Sequence, residues 1–469
     1  MTEAMSPKRF ATVLRKGVDV LNGALAAEVT GGSWIGTAPP FFSLSTDTRE
    51  IKPDQWFLAL KGERFDAHDH VDQAVSLGAS AVVVAQAAQH SCPQLVVSDT
   101  RVALGHLAAA HRAAWSGFSA AVTGSCGKTT TKRLLAAGLR QRGPGVESPK
   151  SFNNDIGVPR TLLELTRDHV WLAAEVGMSA PGEIAPLAQM VAPDAAILTM
   201  VGQAHAGAFD SLDGVREEKL ELLRALGPGG LAVLPEGLPA DLPTGVRVIR
   251  FGSAGNVVWD AGPWEDQRRI GMIDGQRCRL RLAGRHDVGN AASAYAVLRE
   301  FGVSATDAIE AMESVAPEAM RLTPRQCGQA VVWNDAYNAN PESIRAAMAA
   351  FADLVEPDRS RVLVLGEVLE LGHWSEQAHQ ELGVSIAQSH AVDPFQEIFL
   401  VGEAFSSAAA RLRADGLPVR HAREALSLQE QFRSMLEHPV AVLMKGSRGT
   451  GLERLLPSAG EEPLSGSMG

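Results

Sequence analysis

A short apolar run, Ala120-Ala-Val-Thr123, leads directly into Gly-Ser-Cys-Gly-Lys-Thr-Thr130 and then into a helical pattern that continues to Leu139. No other stretch limits the fold as sharply. A glycine turn between a buried strand and a helix points backbone N–H groups inward, and the helix N-terminus adds partial positive charge. Gly124, Ser125, Cys126, Gly127, Lys128, Thr129 and Thr130 are therefore the predicted phosphate cradle. Lys128 would reach the terminal phosphates, and the Thr129 hydroxyl would hold Mg2+. The spacing departs from the common phosphate-loop pattern, because Val122 rather than Gly stands five residues before Gly127. Cys126, at a helix N-terminus beside a lysine, can have a lowered thiol pKa. The alternative is an inert small residue facing the core.

Apolar runs and amphipathic helical segments alternate on both sides of this loop. With 469 residues the chain is too long for one core. The expected fold class is α/β, with most strands parallel. The first unit, 1–115, contains the runs Trp56–Leu60, Ala81–Ala85 and Gln94–Val97, then a helix over Arg101–Ala114. The second, 116–316, contains strands at Ala120–Thr123, Trp171–Glu175, Ala195–Thr199 and Leu231–Leu234. The third, 317–457, repeats the alternation at Ala330–Asn334, Arg361–Leu365, Ile398–Val401 and Ala441–Met444. The tail, 458–469, is rich in Ser, Gly, Pro and Glu and reads as disordered.

Charge and cysteine usage narrow the function classes. A net charge of -11 with no Lys/Arg-rich block argues against a nucleic-acid partner. No apolar stretch approaches the roughly 20 residues that span a bilayer, and no signal-peptide pattern opens the chain. Cys92, Cys126, Cys278 and Cys327 lie far apart, which fits neither a disulfide framework nor a zinc site. A reducing, cytoplasmic compartment is the expectation.

Three residues near strand ends add a possible metal edge, since a doubly wound sheet binds ligands at the carboxyl ends of its strands. Glu175 closes the run Trp171-Leu-Ala-Ala-Glu175, and a carboxylate there can bind Mg2+. His205 follows the strand that ends near Thr199. Lys219 shares a helical stripe with Val215, Leu222 and Leu226, so it sits on an apolar face. Either its stem packs while the ammonium reaches water, or desolvation favours a neutral amine that reacts with CO2.

The loop Thr123-Gly-Ser-Cys-Gly-Lys-Thr-Thr-Thr131 resembles the nucleotide loop of the Mur ligases, which build the peptide of bacterial cell-wall precursors. Further matches run in order from about Leu44 to Leu456. They are Ser45-Thr-Asp-Thr-Arg49, Leu58–Asp66 with His68, Ser151-Phe-Asn-Asn-Asp-Ile-Gly-Val-Pro159 and Gly284-Arg-His-Asp-Val-Gly-Asn290, followed by Asn334–Pro341, Gly366–Gly372 and Lys445-Gly-Ser-Arg-Gly449. Each alone has a plain explanation, such as a turn or a solvated loop. Their order is what makes the resemblance specific.

The resemblance implies a three-domain ligase: a small N-terminal α/β domain, a central P-loop-type parallel sheet and a C-terminal Rossmann-like domain. It implies ATP and Mg2+ as cofactors, with Lys219 carbamylated and Thr129, Glu175, His205 and Lys219 around the metal. Lys128, Lys219 and His205 would serve catalysis. Asn290, Arg321 and Asp335 would join the loop in binding ATP. Ser45, Asp47 and Arg49 would meet a uridine nucleotide, together with Lys61–Phe65. Asn153, Asn154, Tyr337, Asn338 and Asn340 would shape the substrate side, while Glu370, Lys445 and Arg448 would serve the incoming amine. The implied partners are UDP-N-acetylmuramoyl-tripeptide and D-alanyl-D-alanine, handled by a monomer. Other Mur-type ligases and a catalytically inactive nucleotide-binding regulator stand as alternatives, although the Asp-Asn-Pro-Arg stretch expected for diaminopimelate selection is absent. Two departures from the family pattern are Glu367, where Asp is common, and Pro235-Glu236 after Val233.

Overall fold

The computed structural model describes residues 21–457 apart from 63, 64, 88, 90, 205, 357 and 358. The expectations for His205, for part of Lys61–Phe65 and for the tail thus lie outside the described residues. Three sheets follow one another along the chain. The first orders its strands Ser33–Ile35, Gln94–Val96, Ala81–Val84, Trp56–Leu58 and Leu44–Ser45, parallel except for the first pair. Asp99 caps the following helix, Thr100–Ala113, by accepting the N–H groups of Arg101 and Val102. That helix closes the first unit onto the second. Buried Arg112 donates to the carbonyls of Val191 and Ala192, and His111 lies 2.8 Å from the carbonyl of Leu165.

The central sheet runs Gly145–Glu147, Trp171–Glu175, Phe118–Thr123, Ala195–Leu198, Leu231–Pro235 and Arg247–Gly252, all parallel. Trp171–Glu175 and Ala195–Leu198 are buried at every position, as expected for strands covered on both faces. Beyond Gly252 the structure departs from the expected alternation. Val257–Glu265, Arg268–Ile273 and Gln276–Leu280 form an antiparallel ribbon. Its turns, Asp266-Gln267 and Asp274-Gly275, hold positive φ at both central residues, the geometry that suits a two-residue hairpin.

The third sheet runs Thr323–Cys327, Ala330–Asp335, Val440–Lys445, Ser360–Gly366, Phe395–Val401 and Val419–Ala422, antiparallel only in its first pair. The ribbon anchors it to the central unit. Fully buried Arg269 donates to the Ala283 carbonyl and to Asp353 at 2.9 Å, and Arg285 reaches the same carboxylate. Asp353 lies on the helix Pro341–Leu354 of the third unit. In the joining segment, Met320 and Leu322 hold φ of 60° and 49°. Bulky residues bear a cost of about 1–2 kcal/mol in that conformation.

Candidate active site

Strand Phe118–Thr123 lies between Trp171–Glu175 on one side and Ala195–Leu198 on the other. The connection from Thr123 leads to Gly145–Glu147 on the Trp171 side, while that from Leu198 leads to Leu231–Pro235 on the other, so a crevice opens between these two carboxyl ends. The loop 124–127 fills it and starts the helix Lys128–Leu139. Gly124 and Gly127 hold φ of 147° and 82°. A Cβ on Gly124 would strike the Thr199 hydroxyl, and one on Gly127 the Asn290 amide. Ser125 is pinned through its hydroxyl to both backbone groups of Gly202, at 2.8 and 2.9 Å. The Lys128 ammonium folds back onto the Gly124 carbonyl at 2.7 Å. Thr130 is half-buried on the first turn.

Parallel register sets Glu175 beside Val122, level with the start of the loop. Its carboxylate is buried, and each oxygen is engaged. Oε2 accepts the Thr129 hydroxyl at 2.9 Å and Oε1 accepts the Asn153 amide at 2.9 Å. The third neighbour, Lys132, was not singled out from the sequence. It lies one helical turn beyond Lys128 and is 1% exposed, with its ammonium 3.7 Å from Glu175 and 2.6 Å from the carbonyls of both Ser148 and Lys150. Burial lowers its pKa, while the Glu175 charge opposes the shift. The i, i+4 spacing from Lys128 was the available signal, but the carbonyls that receive it come from a distant loop.

Lys219 sits on the helix Leu212–Arg224 and is 2% exposed. Its pKa is lowered to about 7, first by desolvation and next by the charge of nearby Lys128. The amine is therefore buried rather than reaching water. Of the two alternatives for Cys126, the lowered thiol pKa is not met. Desolvation raises its thiol pKa and outweighs the opposing Asn340 hydrogen bond and the charges of Lys128 and Lys445. Its sulfur faces a different unit of the chain, since the Asn340 amide stands 2.9 and 3.1 Å away. Asn340 also caps the helix Pro341–Leu354, exchanging bonds with Ser343.

The third unit supplies the opposite wall. Arg321 stacks 4.4 Å over the Tyr337 ring and donates to the Thr129 hydroxyl at 3.2 Å. Tyr337 in turn shares a 2.6 Å bond with Ser151. Asp335 and Lys445, which the motif reading assigned to different ligands, form one pair at 2.7 Å, and Lys445 also donates to the Asn338 carbonyl. A cleft of about 110 Å3 lies between the units, lined by Gln203, Asn338, Leu369, Glu370, Ser447 and Arg448 among others. Asn290 is buried, bonded to Asp287 and packed against Gly127.

Other expected contacts are local. Asn154 is exposed and accepts the Gly157 N–H at 2.9 Å, closing the first turn of the helix Gly157–Leu162. In the first unit, Ser45 is buried and bonds Asp47, whose carboxyl is held at about 2 by its bonds with Arg49. Glu367 accepts the Ala404 N–H, while Glu236 accepts the Ser253 and Ala254 N–H groups. Both departures from the family pattern therefore stitch turns together.

Among the described residues no three His, Cys, Asp or Glu side chains converge. The donor set at Thr129 and Glu175 still suits Mg2+, a hard ion usually held by one or two carboxylates plus phosphate oxygens and water.

Three family models match successive parts of the chain: the catalytic domain of the Mur ligase family over 42–112, the Mur ligase middle domain over 122–298 and the Mur ligase glutamate ligase domain over 320–448. The UDP-N-acetylmuramoyl-tripeptide–D-alanyl-D-alanine ligase of Escherichia coli (strain K12) is 33% identical over 95% of this chain and 98% of its own. The enzyme of that name from Bacillus subtilis (strain 168) is 32% identical over 90% and 94%. A crystal structure of MurF from Acinetobacter baumannii superposes with a TM-score of 0.82 at 32% identity, covering 93% of this chain and 98% of that one. The Thermotoga maritima MurF ligase in complex with ADP gives 0.76 at 25% identity, covering 88% and 96%. The chain belongs to the Mur ligase family.

Proposed function

We propose that the chain joins D-alanyl-D-alanine to UDP-N-acetylmuramoyl-tripeptide with conversion of ATP to ADP and phosphate, in cytoplasmic synthesis of peptidoglycan precursor. The observation that carries the reading is the grouping of Lys128, Thr129 and Glu175 at the sheet's crevice, where Arg321 of the third unit donates to Thr129. The names of the E. coli and B. subtilis relatives point to the same substrates. We divide the chain into a substrate-nucleotide domain at 1–115, an ATP-binding domain at 116–316 and a closing domain at 317–457.

The tripeptide carboxylate attacks the γ-phosphorus of ATP, ADP leaves, and an acyl phosphate forms. The dipeptide amine then attacks the acyl carbon, phosphate leaves, and the amine proton is lost as the amide forms. Lys128, released from the Gly124 carbonyl, offsets charge on the transferring phosphoryl group. Thr129 and Glu175 would hold Mg2+, which supplies further charge neutralisation when bound. Lys219, as a carbamate, would add an anionic ligand to that side. Asn153 keeps Glu175 oriented. Ser45, Asp47 and Arg49 would hold the uridine end. Glu370 and Arg448 offer the cleft charges opposite to the two ends of a zwitterionic dipeptide. Domain closure about the segment 316–323 excludes water, which would otherwise hydrolyse the intermediate.

A phosphate-release assay with UDP-N-acetylmuramoyl-tripeptide and ATP tests this. Amide product and stoichiometric phosphate are expected only when D-alanyl-D-alanine is added. Other UDP-linked peptides in place of the tripeptide, and single amino acids in place of the dipeptide, should give little product, and a preference for any of them over the substrate it replaces would overturn the substrate assignment.

A further inference from the structure

The loop after strand Ser360–Gly366 carries Leu369 and Glu370 into the cleft, and three successive backbone groups in it are tied down. Leu369 donates its N–H to the Ser447 hydroxyl at 2.9 Å, and the Glu370 carbonyl accepts the Gly207 N–H at 3.0 Å. Val368 donates to the Nε2 of His379, 3.0 Å away. His379 is fully buried on the helix Ser375–Val392, where its ring meets Phe405 edge-on at 4.7 Å. Because Nε2 accepts a backbone N–H, the ring proton belongs on Nδ1, which lies 2.7 Å from the Ser375 carbonyl. Both nitrogens are thus committed, and burial lowers the ring's pKa, keeping it neutral. Glu370 meanwhile holds φ of 63°, a conformation that a non-glycine residue keeps only when its surroundings over-determine it.

We propose that His379 is a positioning residue for the amine-bearing substrate: through the Val368 N–H it fixes the loop that presents Glu370 to the cleft. This rests on the reading of that cleft as the dipeptide's seat. His379 touches no substrate, so its role is read in one Michaelis constant rather than in overall activity. The Gly207 N–H cannot substitute for it, being a donor like the Val368 N–H, and the Ser447 hydroxyl oxygen already accepts from Leu369.

The test compares H379Q, H379L and H379N in the full-length protein. Glutamine keeps an acceptor where Nε2 stands, whereas leucine has none and asparagine is too short to reach Val368. In H379L the KM for D-alanyl-D-alanine should rise about tenfold, with the KM values for ATP and the UDP-linked tripeptide unchanged within about twofold. H379Q should recover most of the difference. If H379L does not fold, H379N against H379Q gives the same contrast. A uniform fall in kcat with an unchanged dipeptide KM, or equal behaviour of H379Q and the variants lacking the acceptor, would overturn the proposal. E370A separates the two readings. If it too leaves the dipeptide KM unchanged, the cleft is not the dipeptide's seat. If it raises that KM while H379L does not, only the role of His379 fails.

Discussion

The Lys132 ammonium and the Glu175 carboxylate face each other 3.7 Å apart, each with 1% of its side chain exposed. Buried pairs of this kind add little stability relative to a well-packed apolar pair, but removing one partner strands the other. Lys132→Met should therefore lower stability by about 3–5 kcal/mol, measured by urea denaturation. The change also leaves the carbonyls of Ser148 and Lys150 without their donor. A midpoint equal to that of the wild type would show that Glu175 does not depend on this lysine.

Lys128→Ala should abolish amide formation while the fold persists. Among the described residues its ammonium bonds the loop's own Gly124 carbonyl, so little packing is lost. Groups that stabilise developing charge are worth roughly 10²-fold or more in rate. Phosphate release above about a tenth of the wild-type rate, with an unchanged circular dichroism spectrum, would rule out the phosphate role.

Lys219 allows a pH test. Its pKa is depressed from 10.5 to about 7, so the neutral amine that adds CO2 predominates above that pH. With bicarbonate present, activity should climb as pH rises from about 6 to about 8. Stability of the uncarbamylated protein has the same sign. Between about 7 and 10.5 the unfolded chain binds the proton that the folded one lacks, so stability rises with pH across that window. Lys219→Ala should be nearly inactive and partly rescued by a small carboxylate at high concentration. Lys219→Arg should stay inactive, and an arginine variant as active as wild type would exclude the carbamate.

Cys126 should react with iodoacetamide at least about tenfold more slowly than an exposed cysteine at pH 8, because burial raises its thiol pKa. Asn340→Ala removes the amide that covers the sulfur from the third unit, and labelling should speed up. Mg-ATP, which fills the same loop, should protect it in both proteins. Fast labelling of the wild type would place the sulfur in solvent rather than between the units.

The parallel strands were legible because burial on both faces leaves near-continuous apolar runs. Trp171–Glu175 was read with its observed bounds, and Ala195–Thr199 ended only one residue later than the strand. The ribbon from Val257 to Leu280 was not, since its strands are only half-buried; Asp274-Gly275 was the readable hint. The stripe through Val215, Lys219 and Leu222 showed that Lys219 faces the core, because helical periodicity is local information. Lys132 carried only its i, i+4 spacing from Lys128, and His379 carried no comparable mark. What each does depends on carbonyls or N–H groups brought from elsewhere: Ser148 and Lys150 for the lysine, Val368 for the histidine. Cys126 makes the same point through charge. Sequence adjacency to Lys128 and a helix N-terminus allowed an acidic thiol, yet desolvation raises its pKa and outweighs both the Lys128 charge and the Asn340 hydrogen bond. The sequence by itself determined the buried parallel strands, the phosphate loop and the family, because those are written in contiguous residues. Only the tertiary structure decided which side chains share a dry environment, because desolvation is set by what packs around a group and not by its neighbours in the chain.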